Sequence, residues 1–308
     1  MKYIDDIGVP ALLRAVERDN YDNKGTLSVT TMIRPAWMTK LEKEHWNEIE
    51  VKVSDQLFML FGQAGHTVLE RTQVEGDIAE VRLFAEIDGT KISGQLDRLT
   101  KDGVLVDFKF CSVYVLKDAM KGKVSEDYVA QLNFLAALCR MNPDLRVIVR
   151  REDEPLADQE MASCLLEMVN LPPIRSLKLL MVARDWRTGE AEKQEDYPPR
   201  AVVVDIPLWP PEKTAELMKE RVRLNTSGSP PVCSPDERWA VPDKWAVMGP
   251  KRALRLLSSS DEAIKWAYDE GIDEPRIEQR PGDQWKRCRK YCNVAKFCKP
   301  FQDSLEVT

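Results

Sequence analysis

Two Asp-Gly pairs, Asp88-Gly89 and Asp102-Gly103, divide a strand-forming run into three segments, roughly 79–87, 91–99 and 104–111. Asp-Gly between runs rich in apolar residues is a strong hairpin signal, because tight hairpin turns need residues that accept positive φ. The run predicts a three-stranded meander. Within it, Asp97 precedes the second turn, Asp107 follows it, and Lys109 lies two residues further on. Side chains alternate along a strand, so Asp107 and Lys109 share one side while Val106 and Phe108 take the other. The turn brings Asp97 back toward them. Two acids able to hold a hard cation, beside a fixed positive charge, suit the hydrolysis of a phosphodiester.

The remaining pattern alternates helix and strand. Helical spacing is predicted over Pro10–Glu17, over 37–71 and over 126–140, the second with Leu57, Phe58, Leu60, Phe61, Ala64, Val68 and Leu69 as its apolar face. A charged turn at Arg150–Glu154 precedes an apolar helical stretch reaching about 173. Ile174–Trp186 and Ala201–Trp209 read as strands, and Pro210-Pro211 opens a helix to about Leu224. At 308 residues, the chain is expected to form one α/β domain with an appended segment. That domain is a mixed central β-sheet flanked by helices over 1–225, with an N-terminal helical segment. Residues 226–308 form a cysteine-clipped lobe packing on it.

Composition narrows the partners. The formal net charge is −6, so a polyanion would have to be met by local basic patches. No run reaches the length of a signal peptide or a membrane span, so a cytoplasmic protein with no membrane partner is expected. Of the seven cysteines, Cys111, Cys139 and Cys164 sit singly among apolar residues. Cys288-x3-Cys292-x5-Cys298 supplies three clustered thiols, and Cys233, in a proline-flanked stretch, is the best fourth. In a reducing compartment such a group reads as metal ligation. A structural Zn²⁺ and an iron–sulfur cluster both answer to it. Closing the long loop from Cys233 to Cys288 with a metal clip would hold the lobe together.

A bare D-x-K is common by chance. Here the strand Val104-Leu-Val-Asp-Phe-Lys-Phe110 is otherwise apolar, so its charges are costly to bury unless paired or metal-bound. Gly94 permits close backbone approach beside Asp97. Gln131 lies on the following helix. Of two histidines, His45 sits in Glu-Lys-Glu-His-Trp and reads as a surface residue, whereas His66 follows Gly62-Gln-Ala-Gly on the apolar helix.

The ordered set Gly62-Gln-Ala-Gly-His66, Gly94-Gln-Leu-Asp97, Asp107-Phe-Lys109 and Tyr128-Val-Ala-Gln131 resembles the PD-(D/E)XK nuclease superfamily. Within it, the set resembles the RecB-like exonucleases, which include AddB-type helicase–nucleases, CRISPR-associated exonucleases and stand-alone bacteriophage proteins. The pattern spans about residues 57–140. One departure is Leu135, where the family often has a tyrosine; Tyr128 is one candidate substitute.

The resemblance implies a restriction-endonuclease-like core and metal-dependent DNA hydrolysis, exonucleolytic more than endonucleolytic. His66, Asp97, Asp107 and the main-chain carbonyl of Phe108 would hold one Mg²⁺ or Mn²⁺. Lys109 would orient the attacking water, and Gln131 would position that water or a backbone phosphate. Glu86 is a further acid by the family pattern, or an edge-strand surface residue. The family also implies a 4Fe–4S cluster in place of zinc, held by three clustered cysteines and a remote one that in many members precedes the core; this chain has no cysteine before Cys111, so Cys233 is taken as the remote ligand beside Cys288, Cys292 and Cys298. It further implies a phage-type role in replication or recombination with a partner protein. A basic, aromatic-bearing lobe (Lys286, Arg287, Arg289, Lys290, Lys296 and Lys299 with Trp285, Tyr291 and Phe297) would contact DNA, and Lys244, Lys251, Arg252 and Arg255 form a second basic run. The rival readings are a non-catalytic DNA-binding protein, an endonuclease of the same superfamily and an iron–sulfur electron carrier.

Overall fold

The computed structural model describes residues 1–18, 26–72, 74–149 and 165–306. Cys164 and the expected charged turn at 150–154 lie outside them. The chain divides into two compact units. A core unit comprises Tyr3–Arg34 and Lys52–Ser227, and a cysteine unit comprises Met1–Lys2, Pro35–Val51 and Gly228–Thr308. The cysteine unit thus takes in a segment that the sequence reading assigns to the core.

The core unit is a mixed α/β structure. Its elements are α1 (Pro10–Arg18), β1 (Leu27–Ser28), α2 (Val29–Ile33), α3 (Val53–Glu70), β2 (Ile78–Ala79), β3 (Arg82–Ile87), β4 (Thr90–Gln95), β5 (Arg98–Leu99) and β6 (Val104–Cys111). After them come α4 (Val113–Met120), α5 (Glu126–Met141), β7 (Asp144–Val149), β8 (Leu165–Asn170), β9 (Ser176–Ala183), β10 (Ala201–Ile206) and α6 (Pro211–Thr226). One sheet has the order β10-β9-β6-β5-β2, with β9 parallel to β6 and the other pairs antiparallel. A second has the order β1-β4-β3, and β7 pairs with β8.

The expected meander is present, with a break in it. Asp88 and Gly89 both take positive φ, 48° and 75°, as a two-residue primed turn requires. At the second turn only Gly103 does so, at 81°, and a Cβ there would stand 2.1 Å from the carbonyl oxygen of Pro173. The first hairpin runs from β2/β5 into β3/β4 in one register, Ile78 opposite Leu99 and Arg82 opposite Gln95. Between them, at Glu80-Val81 and Leu96-Asp97, the ribbon leaves the first sheet and enters the second.

Two expectations differ. The 37–71 run is not one helix: it holds a helix at Ala36–Glu44, a short strand at Glu50–Lys52 and then α3. The apolar face expected on α3 is partly open, with Phe58 63 % and Val68 65 % exposed. Helical spacing reports a stripe, and what covers the stripe is a tertiary matter. Leu165–Asn170, read as helical, is a strand pairing with Asp144–Val149. Its short apolar run fits either period.

The main core joins Leu105 of β6 and Leu177, Leu179 and Met181 of β9 to Leu132, Leu135 and Leu138 of α5 and Met218 of α6. Gly94 lets α5 come down on β4: an added Cβ would lie 2.7 Å from Leu135 Cδ2 and 2.8 Å from Leu138 Cδ1. In the cysteine unit, Lys244–Met248 is the central strand between Ala253–Leu257 and Ile277–Arg280. Helix Ser260–Asp269 covers this sheet with Ala263 and Ala267. Among the described residues no helix is long and apolar enough to cross a membrane.

Gly94→Val is expected to destabilise the core unit by about 1–3 kcal/mol through overpacking. Urea unfolding checks this, and an unchanged midpoint would show that α5 has room to move away.

Candidate active site

The site lies where the ribbon bends away from β6. Arg98 is still paired with Val106. One step on, Phe108 N has lost its strand partner and instead donates to Asp97 Oδ2 at 2.6 Å. A buried amide must be satisfied, and the Asp97 carboxylate does so where the ladder ends. Asp97 is thereby fixed at the mouth of a wedge with β6 as its other wall.

Asp107 and Lys109 stand on that wall. Asp107 is 2 % exposed. Its Oδ2 lies 2.6 Å from Lys109 Nζ and has, among the described residues, no other partner. Lys109 Nζ also sits 5.2 Å from the ring centroid of Tyr128 on α5. Burial works to lower the Lys109 ammonium, but the Asp107 carboxylate in contact with it, with Asp97 nearby, outweighs burial and shifts it upward. Burial raises the Tyr128 phenol. Gln131 is half-buried and one helical turn beyond Tyr128, on the same face of α5.

His66 arrives from α3. That helix meets β6 at Gly65, where an added Cβ would fall 2.1 Å from Phe110 Cζ, so a glycine is needed for His66 to sit this low. The imidazole packs with its centroid 6.0 Å from the rings of both Phe108 and Phe110. Arg98 ties down the end of α3, donating to the carbonyls of Leu69 at 2.9 Å and Thr72 at 2.7 Å. His66 Nδ1 is 3.6 Å from Asp97 Oδ1 and 3.7 Å from Glu80 Oε1. The adjacent Glu80 raises the imidazole above its ordinary value against the effect of burial, and Asp97 adds to this.

Glu80 is the residue that sequence reading missed. It sits in the bend with φ 52°, a conformation uncommon for a residue with a side chain. The backbone is held by Glu80 N donating to the Asp97 carbonyl at 3.1 Å. Arg82 donates to Gln95 at 2.7 Å, and Gln95 in turn donates to Glu80 Oε2 at 2.5 Å. Among the described residues Oε1 is left buried without a hydrogen bond. The donor atoms of His66, Glu80 and Asp97 all lie within 4.8 Å of one another, close enough to share one cation. Asp107, also expected as a ligand, is not in this group, and its Oδ2 contacts Lys109. Glu86, by contrast, is exposed on β3 opposite Lys91. The available signal was pairing: Glu80 lies directly across the ribbon from Asp97.

In the cysteine unit, Cys233, Cys288, Cys292 and Cys298 line one pocket together with Trp37, Met38 and Leu41. Burial first, then the neighbouring Glu237 and the other cysteines, pushes the Cys233 thiol up to about 12; burial likewise brings Cys288 to about 11.

No protein-family model matches the chain, and no curated protein does. Among solved structures, "Crystal structure of SSO0001" is similar over 70 % of this chain and 85 % of that one, with a TM-score of 0.40 and 15 % sequence identity.

Burial and the Asp107 carboxylate together push Asp97 up to about 7, against the Phe108 amide, His66 and Lys109. An acid raised in the folded state loses stabilisation as pH climbs from its unfolded value, about 4, to its folded one. His66, also raised, adds stability at low pH that is lost as pH rises through its folded value. In chelator, Asp97→Asn should therefore gain on the wild type between pH 5 and pH 8, by on the order of 2 kcal/mol. Thermal melts across that range decide this: a variant that loses ground toward pH 8 would mean that the carboxylate is held ionised.

Proposed function

We propose that the chain is a metal-dependent DNA nuclease of the PD-(D/E)XK type, acting as an exonuclease. The observation that carries this reading is the convergence of His66, Glu80 and Asp97 beside the buried Asp107–Lys109 pair. Among the described residues Glu80 Oε1 is a buried oxygen without a hydrogen-bond partner, which a cation would satisfy. His66, Glu80 and Asp97, with Asp107 and the Phe108 carbonyl, would hold Mg²⁺ or Mn²⁺, the imidazole favouring Mn²⁺. When bound, such an ion lowers the pKa of a coordinated water and offsets charge on the phosphate.

Lys109, kept charged by its acid neighbours, orients the attacking water and faces the negative charge that builds on the phosphorus oxygens. Tyr128 limits the swing of the ammonium. Gln131, on the same helix face, holds the water or a phosphate oxygen. Gly65 and Arg98 act on the position of His66. The chain would serve DNA replication or recombination of the bacteriophage kind, with any unwinding supplied by a partner protein.

On labelled linear DNA the protein is expected to remove nucleotides from ends with Mn²⁺ or Mg²⁺ and to be silent in chelator. Asp107→Asn and Lys109→Ala should each lower cleavage by about 10³-fold or more while melting as folded proteins. Near-native cleavage by either variant removes this reading, and cleavage of closed circles would make the enzyme an endonuclease.

For the cysteines, we propose a 4Fe–4S cluster. Cys233, Cys288, Cys292 and Cys298 line one pocket, and the resemblance of the chain's ordered motifs to the RecB-like exonucleases favours the cluster over zinc. The protein is expected to be brown, with iron and labile sulfide in near-equal amounts, and Cys233→Ser to lose most of both. Stoichiometric zinc without iron would overturn the assignment.

A further inference from the structure

The turn that follows Cys233 is built with unusual care. Ser234 Oγ accepts from Glu237 N at 3.2 Å and Ser234 N donates to Glu237 Oε2 at 2.9 Å, a reciprocal capping box around a single turn. The turn closes with Trp239 N donating to the Asp236 carbonyl and Ala240 N to the Pro235 carbonyl, both at 2.9 Å. These are the paired bonds of a Schellman ending, whose left-handed position is normally glycine. Here it is Trp239, with φ 55°.

Burial does not account for that choice. Trp239 is 41 % exposed, and its neighbour Tyr291, at a centroid distance of 5.2 Å, is 63 % exposed. Arg287 is fixed beside them: its N donates to the Arg238 carbonyl at 3.0 Å, its guanidinium to the Glu237 carbonyl at 3.2 Å, and its Cζ lies 4.9 Å from the Trp239 ring. Lys286 and Lys290 are exposed on the same short helix. The other aromatics of this region are used internally: Trp285 packs on Phe301 and Arg238, and Phe297 stacks on His45 at 4.0 Å.

We propose that Trp239 and Tyr291, flanked by Arg287, Lys286 and Lys290, form a stacking site for the unpaired bases of a single-stranded nucleic acid. Exposed aromatic rings offer π faces that any base can cover, and cations beside them meet the phosphates between those bases. A strained backbone that turns a large ring outward is a cost to folding that a ligand can offset. The two rings are inclined at 59°, so they receive successive bases instead of clamping one. The choice of nucleic acid rests in part on the nuclease reading, and separately on the local positive charge.

Fluorescence anisotropy in chelator, where nothing is cut, tests this with labelled oligo(dT) and an abasic strand of equal length. Wild-type protein is expected to prefer oligo(dT). Trp239→Gly and Tyr291→Ala should each weaken oligo(dT) binding by roughly 5- to 30-fold and leave abasic binding unchanged. Trp239→Gly should melt no lower than wild type, since glycine suits the left-handed position. Equal wild-type affinity for the two strands would overturn the proposal. So would variants that bind oligo(dT) like wild type, as a site for a protein segment would give, or a lower melting temperature for Trp239→Gly. The assay is run in chelator and reads binding alone, so its failure and a failure of the nuclease reading, which the cleavage assays test, are read separately.

Discussion

The hydrogen bond from the Phe108 amide to Asp97 is the contact around which the core unit's site is organised. A strand that loses its neighbour must find another acceptor for each inward amide, or leave it unsatisfied at a cost of about 1–3 kcal/mol. By supplying that acceptor from a side chain, the ribbon can bend out of the first sheet after only two residues of β5. The same bend brings Glu80 opposite Asp97 and opens the space that His66 enters. The wedge, the acids and the histidine thus share one backbone cause.

The part of this arrangement legible in the sequence is what period and turn chemistry can express. Asp-Gly pairs gave the hairpins, and two-residue alternation put Asp107 and Lys109 on one side of one strand. Gly94 announced close packing, and Leu135 and Leu138 do occupy the place of its missing side chain. Glu80 had no such mark. It falls at a break in the strands, where alternation stops meaning anything, and its φ of 52° belongs to a residue type that seldom adopts it. Glu86, which the family pattern offers as a further acid and its place on the strand offers equally as a surface residue, is exposed. Helical period likewise carried 37–71 across a strand and a boundary between units. Period records which residues are apolar, and says nothing of where the chain changes direction.

The proposed chemistry depends on charge being held in a confined place. Asp107 and Lys109 neutralise each other in contact, and the Asp97 carboxyl keeps its proton to about 7 while the histidine beside it tends to gain one. Without a cation the acids are mutually repelling and burial penalises their charge; with one, the same crowding becomes attraction. The cysteine unit shows a parallel logic: burial keeps the thiols in its pocket protonated, and the proposed metal cluster would have to displace those protons.

The cysteine unit is assembled from stretches far apart in the chain, Pro35–Val51 and Gly228–Thr308 among them. Met38 and Leu41, each 5 % exposed in the finished unit, pack with Val294 and Phe301. A ribosome adding about 5–20 residues per second takes roughly ten seconds to a minute to travel from one group to the other. Throughout that interval the early helix is an apolar surface awaiting residues not yet synthesised. Translation order therefore leaves the apolar side of Pro35–Val51 uncovered until Gly228–Thr308 has been made.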